Sequence, residues 1–247
     1  KKPHKRKTQE KILQNNDHPY KRQTAQATAA LADALRATLD ARERARNDRE
    51  RAACERLLAR IAYHYGDRQA WHRAVERMFR QAALDLQAQS MAIIEASSSA
   101  LLFADVATAR DTVQRALDAA DQDDLVYAAL WLQLTEQRAG TTNDDTARQA
   151  LTSVDRSSTW VGTLARWGMR ELDDEALLRR ATSPVERSEA VFYIAMRKQR
   201  GDEAAANQML QQVAQSPAID LVETHLAREL ALSTKARDFG PPPSPLP

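Results

Sequence analysis

Apolar positions recur at helical spacing along most of this chain, in blocks cut by short Gly-Asp, Ala-Asp and Ser-Pro interruptions. The clearest blocks lie between Ser183 and Leu232. Ser183-Pro184 opens a helix there, because proline at an early position forfeits an N–H that has no helical acceptor, and Glu186 stands three residues on, as a capping box requires. Val191, Ile194 and Ala195 share one face, broadened by Phe192 and Tyr193. Gly201-Asp202 ends that helix; the glycine is expected in the left-handed cap conformation, and the aspartate is expected to cap the next helix. Ala205, Ala206, Leu210 and Val213 form the second stripe, Ser216-Pro217 stops it, and Leu221, Val222, Leu226 and Leu230 form a third. Two antiparallel helices of this kind cannot bury both faces alone, so the pattern calls for neighbours of the same kind.

The same grammar runs upstream. Ala27, Leu31, Leu35 and Leu39 give a stripe that thins into the charged run 41–51 and resumes at Leu57, Leu58 and Ile61. A break near Asn47-Asp48 is expected in preference to one helix of about forty residues, since globular helices average about a dozen. Gly66-Asp67 is the next turn, followed by Trp71, Val75, Met78 and Phe79. A small-residue helix over 91–102 precedes Ala104-Asp105, which replaces Gly-Asp, and Ala109, Val113 and Ala116 come after it. Leu125–Ala139 should bury Trp131 and Leu134, turn at Gly140, and pair with a helix marked by Ala147, Leu151 and Val154. Trp160–Met169 and Asp173–Ala181 make a shorter pair. The second-helix anchors Trp71, Ala109, Ala147, Ala176 and Ala206 are then 38, 38, 29 and 30 residues apart.

Those steps average about 34 residues, the tetratricopeptide (TPR) period. Residues 184–230 resemble the last repeat and closing helix of bacterial TPR proteins. Ala190, Gly201-Asp202, Ala206 and Leu210 fall where that family has its first-helix small residue, its turn, its second-helix alanine and the following large apolar residue. The resemblance implies an all-α fold, a right-handed α-solenoid of about five diverged TPR-like helix-turn-helix units with a C-terminal capping helix. It also implies a role in holding other proteins.

Composition agrees with helices: only 6 glycines, 5% aromatic residues, and little β-branched material for strands. No hydrophobic run reaches membrane-spanning length, so a soluble chain is expected. The single cysteine, Cys54, has no internal disulfide partner. The chain begins at Lys1 and not at Met, which suggests that a segment was processed off or trimmed.

Charge changes the picture more. Within 1–26 stand Lys1, Lys2, Lys5, Arg6, Lys7, Lys11, Lys21 and Arg22 against Glu10 and Asp17, a net +6, while the remainder has 28 Lys/Arg against 32 Asp/Glu, a net −4. The expected organisation is a basic arm over 1–22, a helical repeat domain over 23–236 and a proline-rich tail over 237–247. The arm is either an electrostatic contact for phosphates or acidic proteins, or a solvated tail; the prolines of the tail make a polyproline II ligand or a spacer.

Candidate chemistry is sparse. His4, His18, His64, His72 and His225 lack metal-ligand spacing, and no glycine-rich phosphate loop or nucleophile–base set stands out. His225 is expected to pack or cap in the closing helix, Cys54 to fill the core, and Asp123-Asp124, Asp144-Asp145 and Asp173-Asp174 to cap helices. No catalytic residue, cofactor, metal or small-molecule substrate is expected. Tyr65, Trp71, Trp131 and Tyr193 are candidate partner anchors, with core packing as the alternative for each aromatic. The chain therefore reads as a non-enzymatic scaffold or assembly subunit of a multiprotein complex. The alternative is a structural protein of an organellar-ribosome-like ribonucleoprotein, held to RNA by residues 1–22. Bacterial cytoplasm, envelope or organelle matrix would each suit.

Overall fold

The computed structural model describes residues 26–118, 121–141, 145–154, 159–218 and 220–237, and all regular structure among them is helical. The arm 1–22 and nearly all of the tail 237–247 lie outside these residues, and so do both calls made on them. By its internal contacts the chain divides into two compact units, the first ending at Gln81 and the second beginning at Ala82. The connection after that point leaves Leu84 95% and Leu86 70% exposed.

The first unit holds α1 (26–44), α2 (Asp48–Tyr65) and α3 (Arg68–Ala82). The break expected near Asn47-Asp48 is present: Asn47 Oδ1 accepts the Glu50 N–H at 2.8 Å and caps α2. Gly66 closes α2 at φ 70°, where an L side chain is strained, and Asp67 accepts the Ala70 N–H to start α3. Trp71, Ala74, Val75 and Met78 are buried, as are Leu58, Ala59 and Ile61. At their edge Glu55, with no exposure at all, meets Arg42 of α1 at 2.9 Å and Arg77 of α3 at 2.8 Å. A buried carboxylate needs such partners, and here they tie three helices together.

The second unit is α4 (Leu86–Phe103), α5 (Val106–Asp118), α6 (Gln122–Ala139), α7 (Thr146–Ser153), α8 (Trp160–Gly168), α9 (Asp174–Arg180), α10 (Pro184–Lys198), α11 (Glu203–Ala214) and α12 (Val222–Arg237). Sequence neighbours pack as hairpins: α4 with α5, α6 with α7, α8 with α9, α10 with α11. α6 is the hub, touching α4, α5, α7, α8 and α10, and α12 comes back onto α4 as well as packing on α10 and α11. A simple row, in which each hairpin touches only the next, has neither the α6–α10 nor the α4–α12 contact. Burial on every side explains why α6 and α4 are apolar or small nearly all round: Leu125, Val126, Leu130, Trp131, Leu132 and Leu134 in one, Ala92, Ala96 and Ala100 in the other.

The caps follow the residues closely. Ser183 and Glu186 form the complete capping box of α10, and Asp202 accepts the Ala205 N–H to begin α11. Ala104 takes the left-handed conformation, φ 53°, that a glycine usually fills, with Asp105 N–H reaching Ala100 O and Ala104 N–H reaching Leu101 O. Four expectations need correction. Asp123 and Asp124 do not cap α6 but lie in its first turn; the cap is Asp121, whose side chain accepts the Asp123 N–H. Gly201 is not left-handed, because α10 unwinds through Gln199 and the Gly201 and Asp202 N–H groups both turn back to Lys198 O. Asp145 does not cap α7; its positive φ of 55° turns the side chain away, and it pairs with Arg148 instead. His225 neither packs nor caps but is exposed, and Glu223, two residues earlier, takes the interior position of α12.

Candidate binding cleft and the buried acids beneath it

The ends of three helices converge on one face of the second unit. α6 contributes Gln133, Glu136 and Gln137; α8 ends in Trp167 and Gly168 with Arg170 just beyond; α10 ends near Arg197, with Arg200 in the following turn. Together they line an open cleft of about 510 Å³. A second recess of about 430 Å³ shares Gln137 and Arg200 with it and continues past Ala104, Arg138, Ala139, Gln199, Glu203, Asn207 and Leu230.

Close approach at the floor depends on Gly168. A Cβ there would stand 2.6 Å from Leu130 Cδ2 and 2.8 Å from Leu151 Cδ1, both on buried leucines. Gln133 Nε2 donates to Gly168 O at 3.3 Å, and Gln137 Nε2 donates to Met196 O and Arg197 O at 2.9 and 3.0 Å. Two amides of α6 thereby fix the carbonyl ends of α8 and α10.

Arg197 is the best-anchored cation of the cleft. Its guanidinium carbon lies 3.3 Å from the Trp167 ring centroid, Nη2 donates to Trp167 O at 3.0 Å, and Nη1 is 3.6 Å from Asp174 Oδ1. Asp174 also accepts the Trp167 indole N–H at 2.9 Å. Burial, with Arg170 nearby adding to it, lowers the Arg197 pKa to about 10, while Asp174 opposes the shift. Arg170 sits at φ 61°, where a helix end normally has glycine: its N–H and that of Glu171 close α8 onto Trp167 O and Arg166 O. A non-glycine residue there costs about 1–2 kcal/mol. Arg170 and Arg200 are exposed and have no ion pair among the described residues. The one carboxylate lining the cleft, Glu136, is 3% exposed and already joined to Arg110 at 2.9 Å.

Beneath the cleft runs a chain of polar groups. The Trp167 ring lies 6.0 Å from that of Tyr193, whose hydroxyl donates to Glu223 Oε1 at 2.8 Å. Glu189 accepts from Tyr127 Oη at 3.3 Å and from the Trp160 indole N–H. Glu223 is 2% and Glu189 5% exposed. Burial, then the neighbouring Glu189, raises the Glu223 pKa to about 8; burial likewise raises that of Glu189, against the pull of its two donors. Tyr193 is held well above its ordinary value, first by burial and then by Glu223.

Of the expected anchors, Trp71, Trp131 and Tyr193 are fully buried, the core alternative for each, and offer no face to a partner; Tyr65 is half-buried. His64 and His72 stay at the surface, and Cys54 is buried with its thiol pKa raised, chiefly by burial. Lys1, Lys2, Lys5, Arg6, Lys7, Lys11, Lys21 and Arg22 lie outside the described residues. Sequence reasoning missed the three arginines and the two glutamates. Arg197 belongs to an ordinary basic helix end, Arg200 follows it in the turn, and Arg170 has no turn glycine to mark it. The available signal for the acids was a glutamate next to a stripe of buried residues in Glu189-Ala190-Val191-Phe192-Tyr193, and again in Val222-Glu223.

Among the described residues no group of three or more His, Cys, Asp or Glu could hold a metal ion, and no helix is long and apolar enough to cross a membrane. Comparisons with protein-family models, with curated proteins and with solved structures return no match.

Proposed function

We propose that this chain is a non-enzymatic docking scaffold, an adaptor or assembly subunit whose second unit holds a segment of another protein. The observation that carries the reading is the double recess across the ends of α6, α8 and α10. Its lining includes hydrogen-bonding amides and four arginines, with Glu136 and Glu203 as the carboxylates, a surface suited to gripping a ligand along its length. We read the helical hairpins as diverged TPR-like units whose stacking creates that surface, with α12 as the closing helix.

A photo-crosslinking residue at Gln199, on the cleft rim, tests this in the full chain expressed in its native cells. The expected result is one partner protein crosslinked from Gln199 and none from Glu175, an exposed position on α9. Crosslinks only between copies of the chain would overturn the reading. Crosslinks to RNA in place of protein would also overturn it, since the ribonucleoprotein alternative puts RNA on residues 1–22 and not in this cleft.

A further inference from the structure

We propose that the occupant of the cleft is an acidic peptide segment, with a carboxylate side chain in the arginine recess and its backbone running on into the neighbouring one. This rests on the docking reading above and names the chemistry of what is docked. Three arginines face one cavity of about 510 Å³, and the acid lining it, Glu136, is committed to Arg110, as Asp174 beside it is to the Trp167 indole and Arg197; Glu203 lines only the neighbouring recess, which also holds Arg138 and Arg200. Arg197 is pre-set for recognition, since its plane is fixed against Trp167 and its Nη2 is bonded to a main-chain oxygen, leaving Arg170 and Arg200 to close on an incoming anion. The left-handed Arg170 supports the same view. A glycine would fill that turn without strain, so the arginine stands there at the expense of local stability.

The second recess argues for a peptide over a small ion. It continues from Arg200 with the amides of Gln199 and Asn207, groups that hydrogen-bond an extended backbone, beside Ala104, Ala139 and Leu230. A lone phosphate would fill only a small part of a double cavity of about 510 and 430 Å³. A nucleic acid is disfavoured because the one aromatic ring lining the two recesses, Trp167, is 1% exposed and covered by Arg197, leaving no face for a base to stack on.

The test is fluorescence anisotropy of the full chain with a fluorescein-labelled hexaglutamate peptide, with inorganic phosphate and a uridine hexanucleotide as competitors. Expected is saturable binding that weakens at least tenfold in Arg197→Ala and in Arg170→Gly, and is unchanged in Arg179→Ala on α9. Arg170→Gly should keep or raise the melting temperature, so its loss of binding cannot be ascribed to unfolding. No saturable peptide binding, equal binding by the arginine variants, or displacement by the oligonucleotide at lower concentration than by unlabelled peptide would each overturn the proposal. If the peptide fails while Gln199 still crosslinks to a protein, the acidic chemistry falls and the docking function stands. If the peptide binds and no protein crosslinks, the converse holds.

Discussion

Gly168 carries more of the cleft than its size suggests. Alanine is the better helix former by about 1 kcal/mol, yet a methyl group at 168 would have to displace Leu130 and Leu151, which are 1% and 0% exposed. Gly168→Ala should therefore lower the stability of the second unit by about 1–3 kcal/mol, read from urea unfolding followed by tryptophan fluorescence. A neutral or stabilising result would show that the two leucines can move aside. Residues of this kind were illegible in the sequence. A turn glycine announces itself by the polar residues around it, as at Gly66-Asp67, whereas Gly168 is needed for what stands opposite it, and that is known only once α6 and α7 are in place. Ala104 shows the reverse: Ala104-Asp105 was readable as a turn because Asp105 starts the next helix, even though the residue that takes φ 53° is not glycine.

Helix boundaries were legible because they are set by local groups. The Ser183–Glu186 box, the Asn47 cap and the Ser216-Pro217 stop need no partner beyond their own turn. Which face each helix buries was legible only where one stripe dominates; α6 and α10 are surrounded, and on them the glutamate that belongs inside cannot be told from one at the rim. The paired acids of α10 and α12 make stability depend on pH. Glu223 ionises in the unfolded chain near the ordinary glutamate value of 4.5 and in the folded chain at about 8, so the fold binds its proton more tightly. That contribution is complete below the unfolded value and is lost as pH rises through the folded one. Glu189 acts in the same direction, with Tyr193 and Tyr127 facing the pair as neutral hydroxyl donors. Between pH 5 and 8.5 the second unit should lose on the order of 4 kcal/mol of stability. Glu223→Gln, which keeps an oxygen for Tyr193, should flatten that slope in urea titrations across the range. A slope left intact by the substitution would place the titrating group elsewhere.

At the scale of the molecule, each of the two units buries acids of its own. Glu55 belongs to the first unit alone, pinned between Arg42 and Arg77, which are partly exposed. Glu55→Ala removes both pairs but leaves the arginines able to reach water, so a loss of about 2–3 kcal/mol is expected, below the usual figure for a charge stranded in the interior. Calorimetry should show it in one transition only, with the melting of the second unit unmoved; a common shift would mean that the two units unfold as one. The division at Gln81/Ala82 was not legible, since the helical rhythm continues through it. The rhythm records local periodicity and is blind to which hairpins share a core.

The meeting of α12 with α4 has a consequence for how such a chain can change over generations. An open row can gain or lose units at its end by duplication, because each new copy meets the same surface as the last. Here the final helix already rests on the first helix of its own unit, so a copy inserted before it would have to part that contact. The number of hairpins in this unit is therefore locked, and diversification is left to the side chains at the mouth.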